Sequence, residues 1–78
     1  MMKTAKLFIN GFEQYDIYYH ESSIESCVNV SLNNMCLVEF NQDEEFEWHL
    51  ENESGDIVIS GMATVNYTPS VTIKVDDD

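Results

Sequence analysis

The run Glu45-Phe46-Glu47-Trp48-His49-Leu50-Glu51 alternates strictly between polar and large apolar side chains. Successive side chains of a β-strand point to opposite faces. A period of two therefore lines Phe46, Trp48 and Leu50 along one face, and Glu45, Glu47, His49 and Glu51 along the other. Such a strand is stable only where a sheet buries its apolar face, which commits the chain to a β core. The next residues, Asn52-Glu53-Ser54-Gly55-Asp56, are rich in turn formers, and Ile57-Val58-Ile59-Ser60 resumes with β-branched side chains. Strand, glycine-bearing loop, strand is the pattern of a hairpin. A helix over 42–54 competes, because Asn41 and Glu44 have capping-box spacing and Gly55 is placed for a C-terminal cap. In that helix Trp48 would point away from Phe46 and Leu50, so the strand is preferred.

The remaining segments follow the same logic. Residues 3–9 and 14–20 are aromatic-rich strands about Asn10-Gly11, the strongest short hairpin dipeptide. Residues 26–32 and 35–40 flank Asn33-Asn34, a further turn. Ser22-Ser23-Ile24-Glu25 suits a single helical turn, but Val28-Asn29-Val30 favours β structure. Residues 62–67 and 71–75 are separated by Thr68-Pro69-Ser70, where proline stops a central strand. The fold expected is all-β: one domain over residues 1–78, an antiparallel meander of about seven short strands closed as a sandwich or barrel. Asp76-Asp77-Asp78 would form a flexible tail. The alternative is an α+β arrangement with one short helix near 42–54.

Charge then limits function. The 78 residues carry 15 Asp+Glu against 3 Lys+Arg, a formal net charge of −12. Direct binding to DNA or RNA needs a basic surface, which three lysines cannot supply. With 44% hydrophobic residues, one Pro and three Gly, the chain is not a disordered acidic tail. A small domain needs a net charge of only about 2–8 in magnitude for solubility, and a larger excess lowers stability by self-repulsion. No apolar run is long enough to span a membrane, and no basic-then-apolar leader pattern is present, so a cytoplasmic location is expected.

Motifs for chemistry are lacking. Cys27 and Cys36 have no CxxC or His spacing for zinc. In a hairpin turning at Asn33-Asn34 their positions stand roughly 13 Å apart along the ladder, beyond disulfide reach. Two free thiols are expected. His20 and His49 lie in no nucleophile or metal context, and 52–56 lacks the alternating Asp spacing of a calcium loop. No cofactor, metal or catalytic residue is assigned, and no enzyme activity is expected.

The acidity is concentrated. From Glu39 to Asp56, eight of 18 residues are acidic and none is basic. Like charges at alternate positions on one strand face destabilise a sheet unless opposite charges intervene; here none does. Same-face carboxylates on a strand stand roughly 6.5–7 Å apart, about two axial steps of a DNA strand. A face of this kind complements a basic groove and steers it into contact. The residues assigned to partner binding are Glu44, Glu45, Glu47, Glu51, Glu53 and Asp56. Tyr18 and Tyr19 are added as aromatic anchors, and as strand neighbours they face opposite sides, so only one can be exposed.

In size, charge and lack of catalytic motifs, the chain resembles the broad class of small acidic phage-encoded inhibitors. This class includes anti-CRISPR and anti-restriction proteins, many of which imitate nucleic acid. The resemblance covers composition over the whole chain and carries over no particular residue. It implies a partner that is a basic nucleic-acid-binding protein or complex, such as a defence nuclease or CRISPR effector, with no direct contact to nucleic acid or membrane. An immunity protein neutralising a basic nuclease, or a phage structural or accessory domain, would share the same composition.

Overall fold

The computed structural model describes residues 2–35, 40–66 and 70–76. Five antiparallel strands form one sheet: β1 (Lys3–Ile9), β2 (Phe12–Tyr19), β3 (Glu45–Glu51), β4 (Ile57–Val65) and β5 (Val71–Val75). Their spatial order is β2-β1-β3-β4-β5. A 3-10 turn over Glu21–Ser23 leads into a single α-helix, α1 (Ile24–Met35).

The β1–β2 hairpin turns at Asn10 and Gly11, with φ of 51° and 84°. Two consecutive positive φ values match the right-handed twist of the strands, and Asn-Gly adopts them at least cost. Between Lys6 and Phe8 the register shifts by one residue, so β2 carries a bulge. The β3–β4 hairpin closes through Asn52, whose side-chain oxygen accepts the amides of Ser54 and Asp56. Gly55 there has φ of 84°. Ahead of β3, the Asn41 amide donates to Glu44 Oε1 while Glu44 N donates to the Asn41 carbonyl. One half of a capping box, the Glu44 side chain on the Asn41 amide, is thus present, and with the backbone bond it closes a turn that enters a strand. One sheet with one short helix fits the alternative arrangement, but the helix is at Ile24–Met35 and not near 42–54, because Phe46, Trp48 and Leu50 share a buried face only when the chain is extended.

β2 and β3 are both antiparallel to β1, on either side of it, and so run in the same direction. The chain joining them has to cross a face of the sheet, and α1 makes that crossing. Val28 and Leu32, four residues apart, are buried with Leu7, Ile17, Tyr19, Phe46, Trp48, Leu50, Val65 and Val71 in one core. This corrects the expected strand at 26–32, while the strand expected at 35–40 lies almost wholly outside the described residues. The β-branched residues Val28 and Val30 sit in the helix, and Asn33-Asn34 belongs to its last turns. Residues 36–39, including Cys36, fall outside the described residues, and the ladder separation from Cys27 no longer applies. Among the described residues the sheet does not close into a barrel or a second layer; it ends at β2 and β5. The segments 57–60 and 62–67 are one strand as far as Val65, running through Gly61.

Trp48 locks the centre of the core. Its Nε1 donates to the Met62 carbonyl at 2.9 Å. The indole lies so close to Gly61 that an added Cβ would stand 2.8 Å from Trp48 Cζ2 and collide with the Lys74 carbonyl oxygen. Asn33 ties the helix to the sheet edge: its Oδ1 accepts the Val71 amide at 2.8 Å, and its Nδ2 donates to the Val71 carbonyl at 3.3 Å.

Candidate partner-binding face

With α1 covering one side of the sheet, the other side is left uncovered by any described element. On it, strand alternation places Glu45, Glu47, His49 and Glu51 of β3 beside Thr4, Lys6 and Phe8 of β1 and Ser60, Met62 and Thr64 of β4. Glu13, Asp16 and Tyr18 extend it along β2, and Thr72 and Lys74 along β5. The polar half of the alternation expected for 45–51 is therefore the middle row of this face.

The row is not electrostatically uniform. At its Glu51 end, Lys6 stands opposite both Glu51 and Asp16, and its Nζ lies 3.6 Å from Glu13 Oε1. His49 Nε2 lies 2.7 Å from Glu51 Oε2, and the His49 ring stacks on Phe8 with centroids 4.7 Å apart and planes 5° from parallel. At the other end Glu45 and Glu47 are exposed, with Thr64 and Met62 across from them on β4. On the β1 side the chain has already turned, and Asn10 meets only the backbone of Glu47. Among the described residues no ion pair reaches Glu45 or Glu47.

Glu53 and Asp56 lie exposed at the β3–β4 turn, in line with the Glu51 end. Glu44 is half-buried, and one carboxylate oxygen accepts the Asn41 amide, so it holds the entry to β3. A shallow depression of about 410 Å3 runs between the Glu51 end and β2, lined by Lys6, Phe8, Glu13, Asp16 and Glu51 among others. Tyr18 is 68% exposed. Tyr19 is 3% exposed and belongs to the core, so its assignment as an anchor is corrected: its parity matches Ile17, which faces the helix. Phe8, Met62, Glu13 and Asp16 were missed in sequence. The signal for Phe8 was available, since it shares parity with Thr4 and Lys6 in 3–9.

On the helix side, Lys3 and Glu21 form an exposed ion pair. The hydrogen bond and the charge of Lys3 hold the Glu21 carboxyl below its ordinary value of 4.5, and Glu21 in turn raises Lys3. This pair occupies one of the three basic side chains away from the acidic row. The Asp76 amide donates to the Ser60 carbonyl, and Ser60 Oγ donates to Asp76 Oδ2, so the expected tail is tied to β4 at its first residue. Asp77 and Asp78 fall outside the described residues. Cys27 is half-buried on α1, its sulfur 4.0 Å from Ser23 Oγ.

Fold and face together define a single antiparallel sheet with one covering helix and an acidic, uncovered side. Comparison with protein-family models, curated proteins and solved structures finds no match for the chain. No helix among the described residues is long and apolar enough to cross a membrane.

Proposed function

We propose that the protein is a small non-enzymatic inhibitor, phage-encoded and acting in the bacterial cytoplasm. It would cover the basic nucleic-acid-binding surface of a host defence complex with the uncovered face of its sheet. The observation that carries this reading is the unneutralised pair Glu45 and Glu47 on a rigid central strand, continuous with Glu51 and the turn carboxylates Glu53 and Asp56. Same-face strand positions repeat every 6.5–7 Å or so, which is close to twice the axial rise per nucleotide of a DNA strand. Pairing of Glu45 and Glu47 with Thr64 and Met62 of β4 holds this spacing, so the charges are in place before the partner arrives. Such preorganisation reduces the cost of ordering on binding. Phe8, Met62 and Tyr18 add apolar surface on the same side, the kind of contact that anchors interfaces whose rim is charged.

The test is charge reversal. Tagged parent protein and a variant with Glu45, Glu47 and Glu51 all changed to Lys are used to capture proteins from a defence-bearing host. The fold of the variant is checked by circular dichroism. The reading expects the parent to capture a basic nucleic-acid-binding complex and the variant to lose it by at least a hundredfold in affinity. Equal capture by the two proteins would end the proposal. An immunity protein would instead recover one cognate toxic nuclease.

A further inference from the structure

The two edges of the sheet are finished differently. At β5, the Asn33 side chain satisfies both backbone groups of Val71, acting as a one-residue stand-in for a neighbouring strand. At β2, eight residues long, side-chain bonding to its backbone among the described residues is confined to Gln14 Nε2, which donates to the carbonyl of Phe12, a residue that pairs with Ile9 across the turn. Unpaired edges of this length template the addition of another chain unless they are blunted. Instead of lysines, β2 carries exposed aromatics: Phe12, Tyr15 and Tyr18. Its bulge, at Gln14–Tyr15, divides the strand and leaves Asp16–Tyr19 in regular register with β1.

Beside this edge runs a groove of about 300 Å3 between α1 and the β2 edge at Tyr18, lined on the helix by Ser26, Cys27, Val30 and Ser31. Val30 is 60% exposed although it lies on a packed helix. The Tyr15 hydroxyl donates to the Ser31 carbonyl and holds helix and strand at this separation. A strand added to β2 would send alternate side chains into the groove and onto the uncovered acidic face. The side chains on the acidic face would meet Glu13 and Asp16, while those in the groove would meet Val30.

We infer that the β2 edge receives an extended segment of the partner protein as a sixth strand. Lysine or arginine at alternate positions would lie over Glu13 and Asp16, with small apolar residues between them facing Val30. This rests on the reading that the partner is basic, and it adds where and in what conformation the partner docks. A second copy of this chain is a poor occupant, since β2 has two carboxylates and no basic residue, and like charges across a strand pair repel.

The probes are two seven-residue peptides of identical composition, one alternating lysine and valine, the other with the lysines and valines in separate blocks. Binding to the isotope-labelled full chain is followed by NMR, with amide exchange read along Phe12–Tyr19. The alternating peptide is expected to bind at least tenfold more tightly than the block isomer and to protect outward amides of β2. Val30→Lys, on the helix surface, should weaken it at least fivefold without altering the fold. The Glu45, Glu47, Glu51 triple lysine variant should keep the preference for the alternating peptide. Equal affinity for the two peptides, with shifts centred on β3, would overturn edge docking while leaving the acidic-face proposal intact. Protection of β2 without peptide, together with a doubled solution mass, would also overturn it by naming a second copy as occupant.

Discussion

Gly61 lies in mid-strand, where glycine is ordinarily a weakness, because the Lys74 carbonyl oxygen and the Trp48 indole occupy the space a side chain would need. Gly61→Ala is expected to lower unfolding stability by about 1–3 kcal/mol through overpacking, measured as the shift of the urea midpoint. A change within about 0.5 kcal/mol would show that neither the Lys74 carbonyl nor the indole is fixed against this position. The tyrosine pair gives a second test at this scale. Tyr19→Ala should cost about 3–5 kcal/mol, the range for large buried aromatics, while Tyr18→Ala should stay within about 0.5 kcal/mol. Similar losses for both would contradict the assignment of the two faces. The rule that neighbouring strand tyrosines face opposite sides was legible in the sequence. Which of them was buried was not, because 14–20 is rich in aromatics on both parities and only the crossing helix distinguishes the sides.

Strands were readable where turn chemistry and alternation agreed. Asn10-Gly11, the 45–51 run and the 52–56 loop lie where they were expected, since each is fixed by local dihedral preference and period. The helix was not readable in that way. Val28-Asn29-Val30 has β propensity, and the spacing of Ile24, Val28 and Leu32 is no stronger locally than an alternating reading of the same residues. What decides it is tertiary: β2 and β3 run in the same direction, so their connection crosses the sheet and covers Leu7, Trp48 and Leu50. The closed sandwich fails for the same reason, because a helix rather than a second sheet covers the apolar face. Asn33, placed in a turn by its residue type, instead joins helix to strand. Asn33→Ala should cost about 1–3 kcal/mol by leaving the Val71 amide unpaired. Faster amide exchange at Val71 in the alanine variant would confirm the cause, and unchanged exchange would exclude it.

At the scale of the whole molecule, a net charge of −12 becomes a directed property once the fold sorts it. Of the three lysines, Lys3 pairs with Glu21 on the covered side, Lys6 serves the Glu51 end, and Lys74 stands two strands from Glu47. Two strand spacings are roughly 9.5–10 Å, about one Debye length at 0.1 M salt, so Glu45 and Glu47 remain the unscreened part of the face. The candidate face was half legible: alternation identified Glu45, Glu47 and Glu51 as one row. The contributions of Phe8, Met62, Glu13 and Asp16 depend on strand order, which no local pattern specifies.

The central claim is that this face occupies the place of nucleic acid on its partner. Competition tests it most directly: the captured partner is titrated with this protein at several fixed concentrations of duplex DNA, at low and at raised salt. Mutually exclusive binding is predicted, with the apparent Kd rising in proportion to DNA concentration and the affinity falling at least tenfold between 50 and 200 mM salt, as roughly expected of multiple charge contacts. A stable ternary complex of DNA, partner and this protein, with an apparent Kd independent of DNA, would contradict it.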